Sequence, residues 1–141
     1  MKPEKILYEI GMTATGGREG YVTGPGLDEP MKLSLPKSMG GSGGDGTNPE
    51  KLFASGYAAC FLGAVRFVAR SMKTALPETV SVTATIGIGP IEIGYALAAR
   101  LEVAMPGVDR DLAVEIVEAA HQRCPYSNAT RGNIDVELVV M

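Results

Sequence analysis

The sequence of 141 residues predicts an α+β fold in a single domain that spans residues 1–141. Three observations support this prediction. Apolar residues alternate with polar ones in several stretches, as in strands that bury one face. Two other stretches carry helix-start signals followed by apolar residues. The order of these elements contains hairpins rather than repeated strand-helix-strand crossovers, which favours antiparallel-rich sheets.

The first third of the chain is predicted to form three short strands. Two of them meet at a glycine-rich turn with Arg18 at its tip, because apolar residues alternate on both sides of it. These residues are Tyr8, Ile10, Met12 and Ala14 before the turn, and Tyr21 and Val22 after it. Met31, Leu33 and Leu35 predict the third strand. The glycine-rich segment that follows Pro36 predicts an irregular loop.

A long helix is predicted to begin at Pro49 and to end at about Ser71 or Met72. Asn48 is a favoured N-cap residue, and proline suits the first helical position. Glu50 falls in the first turn, where the helix dipole favours a carboxylate. These three adjacent residues are the clearest helix-start signal in the chain.

The charge-free part of this helix predicts a second subunit. It runs from Leu52 to Val65 and is too short to span a bilayer, which needs about 20 residues. A helix that is apolar all round needs cover on every side, whereas the sheet of one small chain covers only one face. A stripe of small side chains on this helix would let another helix approach closely. Its members are Gly56, Ala59, Cys60 and Gly63.

The second half of the chain is predicted to contain two long strands and a short final one. Alternation over residues 80–88 and again over 93–103 predicts strands that are joined by a hairpin near Gly89 and Pro90. The same alternation over residues 134–140 predicts the last strand. These strands would supply the apolar face against which the helices pack.

A second helix is predicted between the long strands and the final one. Asp109 is a suitable N-cap, and the helix should end at about Arg123 because Pro125 disfavours helical geometry in the residue before it. Its apolar face consists of Leu112, Ala113, Ile116, Val117 and Ala120. Both cysteines of the chain therefore lie on or beside helices.

Composition and charge narrow the class of protein. The net charge is −3, and the 13 Lys and Arg residues form no basic run of the kind that follows a phosphate backbone. Nucleic acid is not an expected partner. The N-terminal stretch MKPEKILYEI lacks an apolar segment long enough for a secretory signal, so we expect a cytoplasmic protein. In that reducing compartment two cysteines are inert, metal-bound or redox-active.

Cys60 and Cys124 are the candidate reactive residues. Cys60 is predicted in the middle of the long helix, where a cysteine is usually a small buried apolar residue. It becomes a nucleophile only if a cation favours its thiolate. Cys124 lies at the negative end of the second helix, which disfavours a thiolate. If the pair reacts with a peroxide, Cys60 is the expected attacker and Cys124 the expected resolving thiol.

Other interpretations stay open at this point. Glu50 in a first helical turn and Arg18 in a glycine-rich turn are ordinary structural features when each is considered alone. His121 would form a three-ligand zinc site with both cysteines, although the paired ligand spacings of common zinc modules are missing. Two unrelated thiols, a non-catalytic thiol sensor and a carrier of apolar ligands are further alternatives.

Three stretches of the sequence closely resemble the organic hydroperoxide resistance family, a branch of the OsmC-like superfamily. They are TATGGREGYV, GGSGGDGTNPEKLFASGYAACFLGA and HQRCPYSNATRGN. The three motifs occur in the order typical of the family, and the resemblance covers essentially the whole chain. The segment CPYSNATRGN resembles this branch rather than its OsmC relatives.

The resemblance implies a role for each of four residues. Cys60 would be the peroxidatic thiol, and Cys124 would be the thiol that resolves its sulfenic acid as a disulfide. Arg18 would be the cation beside the Cys60 thiolate. Glu50 would be the carboxylate that orients Arg18, since a paired guanidinium is held at a fixed distance.

The resemblance also implies partners and an assembly. The fold would be an intertwined homodimer, in which strands of both chains wrap the long helices that carry Cys60. The substrates would be alkyl or fatty-acid hydroperoxides, reduced to alcohols. Dihydrolipoamide or a lipoylated protein would reduce the disulfide, and neither a metal nor an organic cofactor would be required.

Overall fold

The computed structural model describes all residues, 1–141, and confirms the α+β class with six strands and three helices. The chain forms two compact units, Met1–Pro49 and Glu50–Met141. Each unit contains one three-stranded sheet. The three helices belong to the second unit, except that the first residue of the first helix, Pro49, is the last residue of the first unit.

The first unit contains three short strands, as predicted. They are β1 (Thr13–Thr15), β2 (Tyr21–Thr23) and β3 (Met31–Lys32), and β2 pairs antiparallel with both neighbours. A single 3-10 turn, Gly17–Glu19, joins β1 to β2 and carries half-buried Arg18 at its centre. The turn needs glycine at Gly20, because a Cβ there would lie 1.8 Å from the carbonyl oxygen of Thr15.

The alternating residues before β1 do not form a strand, so that part of the prediction is wrong. The segment Met1–Met12 has no strand pairing, and its apolar side chains are exposed, Leu7 by 89%. The register explains why the hairpin stops here. Thr13 pairs with Thr23, after which Pro25 lacks the N–H that would continue the ladder. An alternating pattern of apolar residues indicates that a stretch can form a strand, but the strand forms only where a second strand pairs with it.

Helix α1 (Pro49–Ser71) has the predicted bounds, but one face of it is exposed. Tyr57, Phe61 and Val65 are completely buried, whereas Phe67 is 53% exposed. The single chain thus covers only one side of the helix, and a second subunit over the other side remains a prediction.

Helix α1 is longer than its charge-free part, so the length of that part does not exclude a membrane span. The whole helix has 23 residues and contains a stretch with a mean hydropathy of 1.6. By length and composition α1 matches a membrane-spanning helix, as core helices of soluble proteins also do. The burial of Tyr57, Phe61 and Val65 among protein side chains is the behaviour of a core helix.

The second unit contains a sheet of three strands, β4 (Ser81–Pro90), β5 (Tyr95–Ala104) and β6 (Val136–Val140). Strand β5 pairs antiparallel with β4, as predicted, and parallel with β6. The predicted position of the turn is wrong, because Gly89 and Pro90 still pair within the hairpin and the turn spans residues 91–94. One face of the sheet is apolar and packs on the helices. The opposite face is polar, with Arg100 placed 3.5 Å from Glu102 and 3.4 Å from Glu137.

Helix α2 (Arg110–Arg123) begins and ends where the sequence predicts. The side chain of Asp109 accepts a hydrogen bond from the backbone N–H of Leu112, as an N-cap does. A further short helix, α3 (Pro125–Thr130), was not predicted. Its start signal was present, because Pro125 occupies a first helical position.

Side chains from α1, α2 and the sheet form one core in the second unit. Residues of all three layers are almost completely buried there. The largest are Tyr57, Phe61 and Val65 of α1, Leu101 and Val103 of β5, and Ile116 and Val117 of α2. Cys124 belongs to the same core, and Cys60 packs against it, so the two cysteines meet at the edge of the packed interior.

Candidate active site

The structure brings the two cysteines together. The sulfur atoms of Cys60 and Cys124 lie 3.6 Å apart, although 64 positions separate them in sequence. Both are free thiols, and Cys124 is the more deeply buried of the two. A disulfide bond has a length of about 2.05 Å, so an approach of roughly 1.5 Å would join them. Two unrelated thiols, the simplest alternative from sequence, would not show this contact.

The junction between α2 and α3 positions Cys124. Its N–H donates to the carbonyl oxygen of Ala120 at 2.8 Å, which closes α2. The extended backbone of Cys124, with ψ at 124°, then breaks the helix before Pro125. The carbonyl oxygen of Cys124 accepts the N–H of Asn128 at 2.9 Å, which opens α3. Cys124 is therefore held on both sides by backbone hydrogen bonds.

At this junction Cys124 lies between two helix ends, not at one as predicted. The sequence placed Cys124 only at the negative end of a helix, but the residue is also the N-cap of α3. The positive end of α3 opposes the negative end of α2, so the dipole argument no longer separates Cys124 from Cys60. The difference between the two thiols must come from burial and from access.

The surroundings of Cys60 within the second unit favour its protonated form. Burial raises the pKa of the Cys60 thiol, because a thiolate there loses hydration. The backbone amide of Tyr126 acts in the opposite direction and lowers this pKa by hydrogen bonding to the sulfur. The neighbouring Cys124 adds a smaller upward shift. Because the net shift is upward, a reactive Cys60 needs a cation close to its sulfur.

An open groove gives access to Cys60. It has a volume of about 410 Å³ and is lined by Cys60, Gly63, Ala64, Phe67, Arg123 and Pro125. Most of these residues are apolar, and Arg123 is the charged member. The guanidinium of Arg123 lies over the Phe67 ring, 5.2 Å from the ring centre, within the range of a cation–π contact. The groove therefore offers a mainly apolar lining with one cation, Arg123, on its wall.

A buried group of hydroxyls joins α1, which carries Cys60, to α3, which follows Cys124. The hydroxyl of Tyr57 is 2.9 Å from Ser127 Oγ and 3.0 Å from Thr130 Oγ1. Tyr57 belongs to α1, and its two partners belong to α3. The sequence reasoning did not single out these residues, because a tyrosine in an apolar helix is an ordinary core residue.

Glu50 and Arg18 lie where their sequence context placed them. Glu50 is in the first turn of α1, roughly 15 Å along the helix axis from Cys60 at 1.5 Å per residue. Arg18 is at the centre of the turn between β1 and β2, in the first unit. Both residues take part in interactions. Their shared role beside Cys60 stays a prediction.

The zinc interpretation does not match the arrangement of donors. No group of three histidine, cysteine or acidic side chains is assembled as a metal site in the chain. The His121 side chain lines a separate groove with Glu115, Glu118 and Gln122. Its Nδ1 is buried without a hydrogen-bond partner, and burial, together with nearby Arg131, lowers the pKa of the imidazole.

The sequence is similar to those of one protein family. Residues 41–139 match the sequence model of the family described as OsmC-like protein. The chain is 53% identical over 138 residues to the organic hydroperoxide resistance protein of Xanthomonas axonopodis pv. citri, a match that covers 98% of this chain and 97% of the relative. It is 39% identical over 132 residues to the organic hydroperoxide resistance protein OhrB of Bacillus subtilis, covering 94% and 96% of the two chains.

Solved structures give the same result for the fold. A putative organic hydroperoxide resistance protein of Vibrio cholerae, with captopril bound in one of its active sites, superposes with a TM-score of 0.90 at 48% identity. That match covers 99% of this chain and 95% of the other. OhrB of Bacillus subtilis superposes with a TM-score of 0.88 at 38% identity, over 96% and 100% of the two chains. Both matches extend over both compact units.

Proposed function

The chain belongs to the OsmC-like family, in its organic hydroperoxide resistance branch, and we propose that it is a cysteine-based peroxidase that reduces organic hydroperoxides to alcohols. A role in resistance to organic hydroperoxides follows from the relatives. The observation that carries the catalytic proposal is the 3.6 Å contact between the sulfur atoms of Cys60 and Cys124. Two thiols at this distance are suited to form a disulfide after one of them is oxidised.

In the proposed first step, the Cys60 thiolate attacks one oxygen of the O–O bond of ROOH. The sulfur is oxidised to a sulfenic acid, the O–O bond breaks, and the alkoxide leaves as the alcohol after it takes up a proton. Arg18 would favour the thiolate and stabilise the negative charge that develops on the leaving oxygen. Glu50 would hold the Arg18 guanidinium in a fixed orientation.

In the proposed second step, Cys124 closes the disulfide. Its thiolate attacks the sulfur of the Cys60 sulfenic acid, an S–S bond forms, and hydroxide leaves as water. A dihydrolipoyl dithiol then reduces the disulfide by two successive thiol exchanges and becomes a cyclic disulfide itself. Both protein thiols are regenerated, so that neither a metal nor an organic cofactor takes part.

The groove beside Cys60 supports the choice of substrate. Its apolar residues, including Phe67 and Pro125, suit the hydrocarbon part of an alkyl or fatty-acid hydroperoxide. Arg123 offers a cation at the same groove, which suits substrates that also carry a carboxylate. We therefore include fatty-acid hydroperoxides among the proposed substrates.

We further propose that the active form is an intertwined homodimer in the cytoplasm. The exposed face of α1 supports a second copy, because one chain covers only one side of this apolar helix. The separation of roughly 15 Å between Glu50 and Cys60 along α1 supports a shared site as well. Glu50 and its arginine would then act on the Cys60 thiolate of the other copy.

Heterodimers test this shared site. A dimer with Cys60→Ser in one copy and Glu50→Gln in the other retains one complete site if the residues act across subunits. In that case the mixed dimer recovers about half of the wild-type activity. If both residues act within one chain, every site carries a lesion and the mixed dimer is no more active than the Glu50→Gln homodimer. The second result would reject the shared site.

Turnover tests the peroxidase proposal. Purified protein should reduce tert-butyl hydroperoxide with dihydrolipoamide through many cycles, and Cys60→Ser, an almost isosteric change, should abolish the reaction. Thioredoxin as the reductant serves as a comparison. Consumption of one equivalent of peroxide per site without recycling would instead identify a thiol sensor. Wild-type turnover by the serine variant would reject the mechanism.

A further inference from the structure

Tyr57 is a completely buried polar side chain one helical turn from Cys60. Its exposure is 0%, and it packs among the aromatic rings of Phe53, Phe61 and Tyr126. A phenylalanine would satisfy these ring contacts as well as a tyrosine. The hydroxyl must therefore be explained by its polar partners, because burying an unpaired hydroxyl costs free energy.

Those partners both belong to α3, the short helix that follows Cys124. Ser127 and Thr130 are exposed by 0% and 5%, and each places its hydroxyl oxygen within 3.0 Å of the Tyr57 hydroxyl. Thr130 Oγ1 also donates to the carbonyl oxygen of Ser127 at 3.2 Å. One arrangement satisfies every group: Ser127 donates to Tyr57, Tyr57 donates to Thr130, and Thr130 donates to the backbone.

Helix α3 depends on such contacts for its position. It has six residues, and a helix of that length is not stable by itself in water. Its first turn follows directly on Cys124 and contains the Tyr126 amide that hydrogen-bonds to the Cys60 sulfur. The hydroxyls of Ser127 in this turn and of Thr130 at the end of α3 connect the short helix to α1, the helix that carries Cys60. The orientation of Cys124 towards Cys60 is thereby coupled to the Tyr57 hydroxyl.

We infer that Tyr57, through its hydroxyl, is a positioning residue for disulfide formation between Cys60 and Cys124. The inference rests on the proposed peroxidase function. Tyr57 would act through α3, which it holds against α1, and not by contact with the substrate. Its hydroxyl would keep the Cys124 sulfur within reach of the Cys60 sulfenic acid.

The chemistry gives this role a specific signature. A Cys60 sulfenic acid has two fates: attack by Cys124, which forms the disulfide and releases water, or attack on a second hydroperoxide. The second reaction transfers one oxygen to the sulfur, which gives a sulfinic acid and another alcohol. If α3 is displaced, the first reaction slows while the second does not. The sulfinic fraction per turnover therefore reports on the position of Cys124. A general loss of stability would lower the total activity without changing this fraction.

The experiment compares Tyr57→Phe with Tyr95→Phe. Tyr95 undergoes the same chemical change, but its ring is 71% exposed on β5. Each reduced protein is treated with a hydroperoxide series, and mass spectrometry quantifies Cys60 as disulfide and as sulfinic acid. Loss of one buried hydrogen-bonded group should raise the sulfinic fraction per turnover by about five- to ten-fold in Tyr57→Phe. The fraction should stay at its wild-type value in Tyr95→Phe.

Variants on α3 keep the inference testable if Tyr57→Phe does not fold. Thr130→Val removes one hydroxyl with almost no change of shape and should raise the sulfinic fraction, whereas Thr130→Ser keeps the hydroxyl and should restore most of the disulfide yield. A wild-type fraction in every folded variant that lacks a network hydroxyl would overturn the inference. Failure of the wild-type protein to turn over hydroperoxide would instead reject the proposed function.

Discussion

Cys60 and Cys124 are in contact, yet their surroundings differ. Cys124 is completely buried at the junction of two helices, while Cys60 is half-buried and lines an open groove. A molecule that enters the groove can contact Cys60. Cys124 does not line the groove, and its sulfur contacts that of Cys60. Access from solvent separates the two thiols more clearly than the helix dipoles do, because Cys124 lies between a negative and a positive helix end.

The largest expected effect comes from exchanging either sulfur for oxygen. Cys60→Ser should lower turnover by roughly a thousand-fold or more, because it removes the only thiol at the groove. Cys124→Ser should still react once with hydroperoxide and accumulate the Cys60 sulfenic acid. Trapping with dimedone, followed by mass spectrometry, distinguishes the two variants. Dimedone labelling of Cys124 in the Cys60→Ser variant would contradict the assignment of the attacking thiol.

A smaller effect is expected from Arg18→Ala. The Arg18 guanidinium is proposed to favour the Cys60 thiolate. Removing it should therefore raise the pKa of Cys60 and move the pH profile of activity to higher pH. At neutral pH the thiolate fraction falls tenfold for each unit that the pKa rises. We expect the first step to slow by about 10²-fold at neutral pH, since a charge-stabilising donor is also lost.

Alkylation rates measured against pH test this prediction directly. Arg100→Ala is a suitable control, because Arg100 lies on the polar face of the sheet and pairs with Glu102 and Glu137. The control should keep the wild-type profile. An unchanged profile in Arg18→Ala would show that Arg18 does not act on the Cys60 thiolate and would reject its proposed place in the site.

The smallest effect is expected from Arg123→Gln. Arg123 is exposed, and a pair between an exposed guanidinium and a carboxylate contributes about 0.2–1 kcal/mol. The preference for a fatty-acid hydroperoxide over its methyl ester should therefore fall about two- to five-fold in kcat/KM. Raising the salt concentration should reduce the wild-type preference in the same direction. A preference that is equal in both proteins would show that Arg123 does not contact the carboxylate.

Much of the fold was predictable because its signals are local. The start of α1 and both ends of α2 follow from Asn48, Pro49, Asp109 and Pro125, residue types that act on the backbone within one turn. The long hairpin follows from alternation over β4 and β5. The same alternation before β1 predicted a strand that the chain does not form, since a strand also needs a partner.

The candidate site shows the same difference between local signals and contacts that need the folded chain. The sequence by itself identified Cys60 and Cys124 as the reactive candidates, and its three motifs identified the family to which they belong. The 3.6 Å contact between them, the groove that reaches only Cys60, and the bonds from Tyr57 to Ser127 and Thr130 depended on tertiary structure. Each of these features joins residues more than 60 positions apart, and only the packing of the helices in one core sets such distances.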